Sequence, residues 1–281
     1  MTWTERQRHM LRMMGLPVWT RATPPPAVLD VLTARPDPAP VAAVAAAAAP
    51  ARAEPAATER APRPLAVTAP PTAPRPADDA RAAHIATLDW PALREAVAGC
   101  QACGLCATRR QTVFGVGHER AGWMVVGEAP GEQEDLQGEP FVGAAGQLLD
   151  SMLAALQLTR AVDGTAAPAQ RVYIANTLKC RPPRNRNPEP AEMLACEPFL
   201  MRQIALVQPR LILAMGRFAV QALLRSSEPV GRLRGRVHHY QGVPLVVTYH
   251  PAYLLRNLED KARAWDDLCL AQQTLKAVDS P

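Results

Sequence analysis

Short apolar runs alternate with segments of helical spacing over residues 88–277 of the chain. The runs 123–126, 172–175, 211–215 and 245–248 are almost entirely apolar, which is typical of buried strands. The spacing of apolar residues predicts helices over 88–97, from about residue 145, and over 190–207, 217–224 and 262–277. Strands that alternate with helices indicate a parallel sheet covered on both faces. We therefore predict an α/β fold, a three-layer α/β/α sandwich with a central, mostly parallel four-stranded sheet.

A proline-rich part of the chain precedes this alternation. Of the 29 prolines, 14 lie between residues 24 and 76, and glycine is absent from residue 16 to residue 98. Such a segment buries too little apolar surface to offset its ordering entropy. We predict a disordered Ala/Pro/Arg-rich tether over residues 23–83 and a folded domain over 84–281. Residues 1–22 carry apolar side chains at helical spacing, which suits either a short docking helix for a protein partner or a frayed terminus.

The stretch 127–149 has the composition of a ligand-binding turn. Gly127, Pro130 and Gly131 follow the first predicted strand and turn the chain tightly, so that the backbone can approach a ligand. A phosphate loop is disfavoured, because the dinucleotide and P-loop glycine patterns are missing. The stretch favours a pocket for a neutral planar group with an aromatic wall. The turn is followed by a group of carboxylates and then by one aromatic ring, at Glu128, Glu132, Glu134, Asp135 and Phe141.

Polar side chains stand where three of the predicted strands end. Glu128 follows the first strand, Asn176 the second and His250 the fourth. Because the carboxyl ends of parallel strands share one edge of a sheet, we expect these three side chains to line one crevice. An Asn amide offers a donor and an acceptor to the edge of a nucleobase. A His donates to an oxygen that gains negative charge.

Six cysteines indicate a metal or redox site rather than a disulfide framework. Four of them combine one close pair with two single thiols, which suits either a 4Fe–4S cluster or a structural zinc ion. Cys106 competes with them as a ligand, whereas the position of Cys269 in a predicted helix is typical of the core. The four are Cys100, Cys103, Cys180 and Cys196.

The net charge of +5 and a pI of about 9.1 mildly favour a polyanionic partner. Because DNA phosphates bind arginines of this kind, we prefer nucleic acid over a merely solvated surface. No apolar run approaches the length of a membrane span, and the polar start of the chain lacks a secretory signal. Arginines cluster in loops beside the predicted strand ends, at Arg181, Arg184, Arg186, Arg232, Arg234, Arg236 and Arg256.

The sequence resembles the family 4, iron–sulfur type, uracil-DNA glycosylases over residues 88–275. The Cys-x-x-Cys pair matches, and four longer motifs follow in the family's order. They are Gly127-Glu-Ala-Pro-Gly131 with Glu134-Asp135, then Gly138-x-Pro140-Phe141-Val-Gly143-x-Ala-Gly146, then Asn176-x-x-Lys179-Cys180-Arg-Pro-Pro183, and then His250-Pro-Ala-Tyr-Leu-Leu-Arg256. The resemblance implies a three-layer α/β/α sandwich that flips uracil out of single- or double-stranded DNA, hydrolyses its N-glycosidic bond and leaves an abasic site.

The resemblance also implies roles for individual residues. Phe141 corresponds to the ring that stacks on uracil, Asn176 to the reader of the base edge, and His250 to the donor to uracil O2. We also expect Gly127 and Ala129, in the first of these motifs, to bind the substrate. Ligands of a structural 4Fe–4S cluster correspond to Cys100, Cys103, Cys180 and Cys196. Residues 251–256, with Arg256, correspond to the loop that pushes into the duplex, where Tyr253, Leu254 or Leu255 fills the vacated space. Of the other clustered arginines, we expect Arg184 and Arg234 to contact DNA because of their charge.

The sequence departs from the wider superfamily at Ala129, where its best-known relatives carry an aspartate. The water-activating group is therefore open between Glu128 and Glu134. Two other classes remain as alternatives: a uracil-DNA binding protein that holds or covalently traps its base, and an iron–sulfur electron carrier. The trap is disfavoured because residues 181–190 contain no histidine. We expect a monomeric protein of bacterial type that is cytoplasmic and associated with the nucleoid.

Overall fold

The computed structural model describes residue 13 and residues 76–162 and 166–279. Apart from Met13, the predicted docking segment 1–22 lies outside the described residues, and so do residues 23–75 of the predicted tether. Within the described residues the chain forms a mixed α/β unit. The three-layer prediction is confirmed, because helices cover both faces of one sheet.

The sheet has six strands among the described residues, in the order β1-β3-β2-β4-β6-β5. The four predicted strands form its parallel middle, and two short strands that were not predicted pair antiparallel at the edges. The prediction of four strands is therefore corrected to six. The strands are β1 Val116–Gly117, β2 Trp123–Gly127, β3 Val172–Asn176, β4 Leu211–Met215, β5 Val237–Tyr240 and β6 Val243–Thr248.

The helices are α1 Pro76–Ile85, α2 Trp90–Ala98, α3 Glu132–Gln137, α4 Ala144–Ala155, α5 Pro190–Val207, α6 Arg217–Leu224, α7 Val230–Leu233, α8 Pro251–Leu254 and α9 Asp260–Asp279. Local signals explain where several of them begin. The side chain of Asp89 accepts a hydrogen bond from the Ala92 amide at the start of α2, and proline occupies the first turn of α2 and α5. None of the described helices combines the length and apolar character that a membrane crossing requires.

Alternate residues of the strands point into two separate cores. On β2, Trp123 and Val125 pack with α4 and α9, whereas Met124 and Val126 pack with α5 and α6. This two-residue period is the pleat of a strand that is buried on both faces. A third core lies beside the sheet and joins α1 and α2 to two buried thiols, Cys180 and Cys196.

Two short helices depart from the sequence predictions. Helix α1 starts at Pro76, inside the segment predicted as tether, so the predicted boundary at residue 83 lies too late. Its Ile85 is only 3% exposed, and this burial in the third core holds the helix on the domain. Helix α3 forms from the acids of the stretch 127–149, and its buried Asp135 accepts hydrogen bonds from the Arg110 amide at 3.0 and 3.2 Å.

Candidate active site

A cavity of about 190 Å³ opens at the carboxyl edge of the parallel strands. The prediction that the three strand-end residues share one crevice is confirmed, because Glu128, Asn176 and His250 all line this cavity, here called the base pocket. Six further residues of the turn, the aromatic segment and the loop after β3 complete its main walls: Ala129, Gly131, Glu134, Phe141, Asn185 and Arg186.

Gly127 lies between Asn176 and Phe141, two residues that line the base pocket. It pairs with Asn176 in the ladder of β2 and β3. A β-carbon on Gly127 would lie 2.5 Å from Asn176 Oδ1 and 2.5 Å from Phe141 Cζ. Because real carbon atoms do not approach that closely, only glycine permits the amide and the ring to face one another here.

Phe141 is held in an unusual backbone conformation. Its φ is 56°, its side chain is 4% exposed, and a β-carbon on Gly146 would lie 1.8 Å from its carbonyl oxygen. Arg160 fastens the same segment, donating to the carbonyls of Pro140 and Phe141 at 2.9 Å each. Since a left-handed backbone is unfavourable for a bulky residue, this clamp is what orients the ring. Sequence reasoning did not identify Arg160.

The Asn176 side chain presents an unused acceptor. Its residue is 2% exposed, and among the described residues its Oδ1 has no hydrogen-bond partner. Buried amide oxygens are nearly always paired, because an unmet acceptor costs roughly 1–3 kcal/mol. A buried and unpaired acceptor at the wall of a cavity therefore favours a ligand that donates a hydrogen bond.

The His250 imidazole is neutral and has a defined tautomer. Its Nδ1 accepts a hydrogen bond from the Ala252 amide at 3.2 Å at the start of α8, which leaves the proton on Nε2. Burial lowers the pKa of His250 to about 4, against the opposing effect of Glu134, and the nearby Arg256 charge lowers it further. The ring stacks on Phe141, with centroids 5.4 Å apart and planes at 28°. His250 is thus a neutral donor.

The two candidate carboxylates have different environments. Both carboxylate oxygens of Glu134 accept hydrogen bonds from backbone amides. One accepts from the Gly131 amide at 3.0 Å, and the other accepts from the amides of Val142 and Gly143 at 3.0 and 3.2 Å. Burial raises the pKa of Glu128, and the Arg217 charge partly opposes this. Glu134 therefore ties the glycine turn to the Phe141 segment, and Glu128 is the better proton acceptor.

Residues 114–269 match the family model of the uracil DNA glycosylase superfamily. The chain belongs to this superfamily. It is similar to the type-4 uracil-DNA glycosylase of Archaeoglobus fulgidus, with 42% identity over 167 residues that cover 57% of this chain and 79% of the relative. The type-4 enzyme of Pyrobaculum aerophilum is 40% identical over 193 residues, covering 65% and 93%, and that of Thermotoga maritima is 39% identical over 171 residues, covering 60% and 84%. The resemblance drawn from the motifs is confirmed.

The four positions at α8, predicted to contact DNA in a uracil-DNA glycosylase, have different exposures. Leu254 is fully buried in the core with α4 and α9, so its prediction as a wedge is wrong. Tyr253 is 36% exposed, but it stacks on Tyr249 and donates to Asp260 at 2.7 Å. Leu255 is 42% exposed, and Arg256 is exposed. The exposed wedge candidate is therefore Leu255. Leu258, which the sequence analysis missed, is 56% exposed just beyond it.

The two other arginines predicted to contact DNA also differ. Arg184 is exposed on the loop after β3, with a left-handed φ of 54°, and neighbouring residues of that loop line the base pocket. Arg234 instead forms an ion pair with the fully buried Asp267, at 3.0 Å from Nε and 2.9 Å from the second nitrogen. Its prediction as a DNA contact is corrected, because its guanidinium neutralises a buried carboxylate.

The cysteine pocket is a second, smaller cavity of about 10 Å³ between α2, α5 and the end of β3. Cys269 lies elsewhere, against the core with α4 and α9, as predicted. In the described parts of the chain, no three Cys, His, Asp or Glu side chains converge closely enough to hold a metal ion as they stand. The pocket brings together the four predicted ligands and a fifth thiol: Cys100, Cys103, Cys106, Cys180 and Cys196.

Hydrogen-bond donors surround the sulfur atoms of the cysteine pocket. Arg109 donates to Cys180 Sγ at 3.2 Å, and the Lys179 amide donates to Cys196 Sγ at 3.2 Å. Arg81 of α1 donates to the thiol of Cys100 at 3.6 Å. Burial raises the pKa of the Cys180 thiol, and it raises the pKa of the Cys196 thiol to about 12. A bound cation would favour the thiolate form of both. Buried thiols facing N–H donors suit an iron–sulfur cluster.

A larger cavity of about 850 Å³ lies at the opposite edge of the sheet, where β2 and β4 begin. Two of its titratable side chains are engaged with neighbours: His118 Nε2 lies 2.8 Å from Arg171, and Glu119 pairs with Arg94 at 3.2 Å. The strand-end residues of the superfamily motifs lie at the other edge. We therefore assign the chemistry to the smaller base pocket.

Proposed function

We propose that this chain is a DNA repair glycosylase that flips uracil out of DNA and hydrolyses its N-glycosidic bond, leaving an abasic site. The observation that carries the proposal is the unpaired Oδ1 of Asn176 in the base pocket, opposite the ring of Phe141. A planar base that stacks on Phe141 and donates to Oδ1 fits this arrangement. The superfamily membership and the type-4 relatives support the same substrate.

The amide of Asn176 accounts for the choice of uracil over cytosine. Uracil presents an N3–H donor beside a carbonyl acceptor, so Oδ1 accepts from N3 while the amide nitrogen donates to O4. Cytosine presents an acceptor at N3 and a donor at its exocyclic nitrogen. The Asn176 amide oxygen would then face another acceptor, and the amide nitrogen would face another donor. Neither pair can form a hydrogen bond, so buried polar groups are left unpaired.

Extrusion of the base requires a filler for the vacated space. Flipping costs a few kcal/mol in unstacking and unpairing, and an apolar side chain inserted into the stack offsets part of this. We infer that Leu255 is this wedge, since Leu254 lies in the core. Arg184 and Arg256 are exposed beside the base pocket and bind the flanking phosphates.

His250 and Glu128 divide the chemistry. As the glycosidic bond breaks, negative charge develops on uracil O2, and the Nε2–H of neutral His250 donates to it more strongly in the transition state than in the ground state. Glu128 accepts a proton from the attacking water, since the oxygens of Glu134 are engaged with three amides. The sugar then carries the new hydroxyl.

We further propose that Cys100, Cys103, Cys180 and Cys196 hold a 4Fe–4S cluster. The shared pocket and the N–H donors aimed at the sulfur atoms support this choice. When bound, the cluster supplies cross-links between α2, α5 and the loop after β3.

We also propose that the enzyme acts as a monomer on uracil-containing DNA, single- or double-stranded. Its proposed setting is cytoplasmic and nucleoid-associated, and residues 1–22 are the proposed binding segment for a protein partner.

A single-turnover assay on matched oligonucleotides with uracil, cytosine or thymine at one position tests the function. Uracil alone should be released, and alkali should cleave the strand at the resulting abasic site. A covalent protein–DNA adduct without free uracil would indicate a base trap. Reversible one-electron reduction of bound iron without base release would instead indicate an electron carrier.

Metal analysis of protein purified without oxygen tests the cluster separately. About four irons per chain and visible absorbance are expected. Cys180→Ala and Cys196→Ala should each lose iron together with thermal stability, whereas Cys269→Ala should keep both. Zinc in place of iron, with a colourless protein, would overturn the cluster and leave the glycosylase proposal standing.

A further inference from the structure

A buried lysine lies between the base pocket and the cysteine pocket. Lys179 is 1% exposed and stands three residues after Asn176 and one before Cys180. Its ammonium nitrogen lies 2.8 Å from the carbonyl oxygen of Asn176 and 2.6 Å from Oε1 of Gln203, and donates to both. Burying a lysine is unfavourable unless its charge is well solvated by the protein, so its partners indicate what it stabilises.

Gln203 fixes the lysine from the opposite side. Its amide nitrogen donates to the carbonyl of Phe114 at 2.9 Å and to the hydroxyl of Tyr173 at 3.2 Å. These two partners lie just before β1 and within β3, while Gln203 itself lies on α5 and is fully buried. The ammonium group is therefore anchored by three segments that are distant in sequence.

The backbone of Lys179 is anchored as well. Its amide donates to Cys196 Sγ at 3.2 Å, and its carbonyl accepts from the Val113 amide at 2.8 Å. Asn176 is the last residue of β3, and the amides of Thr177 and Leu178 just beyond it donate to the carbonyls of Gly127 and Glu128 at 3.1 Å each. These bonds fix the path of the chain, and the bond from Lys179 Nζ is the side-chain contact that holds the Asn176 carbonyl itself.

We propose that Lys179 is a positioning residue for base recognition, whose bond to the Asn176 carbonyl sets the angle at which the Asn176 amide enters the base pocket. This inference rests on the proposed function, and it makes Lys179 the link through which the ordered cysteine pocket orients the reader of the base edge. Loss of the bond removes a donor from the buried Asn176 carbonyl and allows the Asn176 peptide group to rotate within the ladder. A misdirected amide then meets uracil N3–H poorly.

A double-mutant cycle tests this inference. The single-turnover rate of uracil release is measured for wild type, Lys179→Met, Asn176→Ala and the double variant. If Lys179 acts through Asn176, Lys179→Met should lower the rate by about tenfold or more alone, but by less than about threefold in the Asn176→Ala background. Equal losses in the two backgrounds would overturn the inference.

Two further variants guard against a general loss of structure. Lys179→Gln keeps an N–H donor near the carbonyl, so it should retain most of the wild-type rate. If Lys179→Met does not fold, a loss of about tenfold or more in a folded Lys179→Gln would overturn the inference. Tyr173→Phe removes one hydrogen bond at the far end of the same network and should change the rate by less than about twofold. A loss in Tyr173→Phe as large as in Lys179→Met would show that any disturbance of the network lowers the rate, and would overturn the positioning role.

Iron content and melting temperature are measured on every variant. Intact iron with a reduced rate is expected for Lys179→Met, whereas iron loss would assign the lysine to the cysteine pocket and overturn its role toward Asn176. Wild-type protein that releases no uracil would overturn the proposed function itself. That result differs from additive losses in an active series, which would overturn the Lys179 inference alone.

Discussion

The Oδ1 atom of Asn176 lies 2.5 Å from the point where a β-carbon on Gly127 would stand. The two residues face each other across the ladder of neighbouring parallel strands, so the Asn176 wall of the base pocket stands against a glycine in the same register pair. A methyl group added there displaces the amide, the Phe141 ring or both. The geometry of the proposed base-recognition site thus depends on the absence of a side chain at Gly127.

Gly127→Ala should therefore lower uracil release by at least about tenfold, which corresponds to roughly 1.4 kcal/mol of lost transition-state stabilisation. Gly122→Ala is a matched control near the start of β2, because its added carbon would meet its nearest neighbour, the Pro168 carbonyl, at 3.8 Å. Single-turnover rates and melting curves of both variants check the prediction. Equal rates for Gly127→Ala and wild type would mean that the base binds elsewhere.

His250 should matter mainly in the transition state. His250→Ala should lower the single-turnover rate by about 10² or more, the usual effect of losing one oxyanion donor, while binding of uracil DNA weakens little. Separate measurements of binding and rate check this. If DNA binding and the single-turnover rate fall by the same factor, His250 positions the substrate instead.

The pH dependence of stability depends on the lowered pKa of His250, about 4 against an ordinary 6.5. The imidazole stays neutral in the folded protein down to about pH 5, so its donor role should be retained over that range. In the unfolded chain the ring binds a proton at higher pH, so its contribution to stability is lost as the pH falls from about 7 to about 4. Acid unfolding of His250→Gln should be shifted to lower pH than that of wild type.

Substitution of Glu128 and of Glu134 should show that the two carboxylates have different roles. Glu128→Gln should lower the rate by about tenfold or more at unchanged melting temperature, because it removes a proton acceptor. Glu134→Gln weakens the acceptor for three backbone amides, so it should lower the melting temperature as well as the rate. Rates and melting curves of the two variants, measured side by side, distinguish the roles. A normal rate in Glu128→Gln would exclude it as the base.

Leu254 and Leu255 are adjacent, but their alanine variants should differ in stability and in their dependence on the DNA substrate. Leu255→Ala should reduce release from double-stranded DNA more than from single-stranded DNA, because only the duplex needs its vacated space filled. Leu254→Ala should destabilise the fold by about 2–5 kcal/mol, as truncation of a buried leucine does, and should not distinguish the two substrates. Equal losses on both substrates for Leu255→Ala would remove it as the wedge.

The helix α1 provides a test of where the domain begins. Deletion of residues 1–75 should leave iron content and uracil release intact, whereas deletion of residues 1–86 should reduce iron content and melting temperature. The second deletion removes Ile85 from the third core and Arg81 from its contacts with Cys100 Sγ and the Ala195 carbonyl. Arg81→Ala should reproduce part of the iron loss. Full iron retention in the longer deletion would restore the later boundary.

Much of the fold and of the base pocket was predictable from the sequence. The four parallel strands were evident as short apolar runs, and the meeting of Glu128, Asn176 and His250 was expected from the rule that parallel strands end at one edge. Both are local patterns acted on by a general topological constraint, so no distant contact needs to be known. The close spacing of Cys100 and Cys103 indicated a shared site, whereas the grouping of this pair with Cys180 and Cys196 was implied by the family resemblance.

Only the tertiary structure decided which residues of each motif are exposed and which are engaged. Leu254 and Leu255 are identical in type, and their separation into core and surface depends on α4 and α9, which belong to other parts of the chain. Arg234 is bound by a carboxylate 33 residues later, at Asp267. Exposure and pairing are properties of distant contacts, which no local pattern of residues specifies.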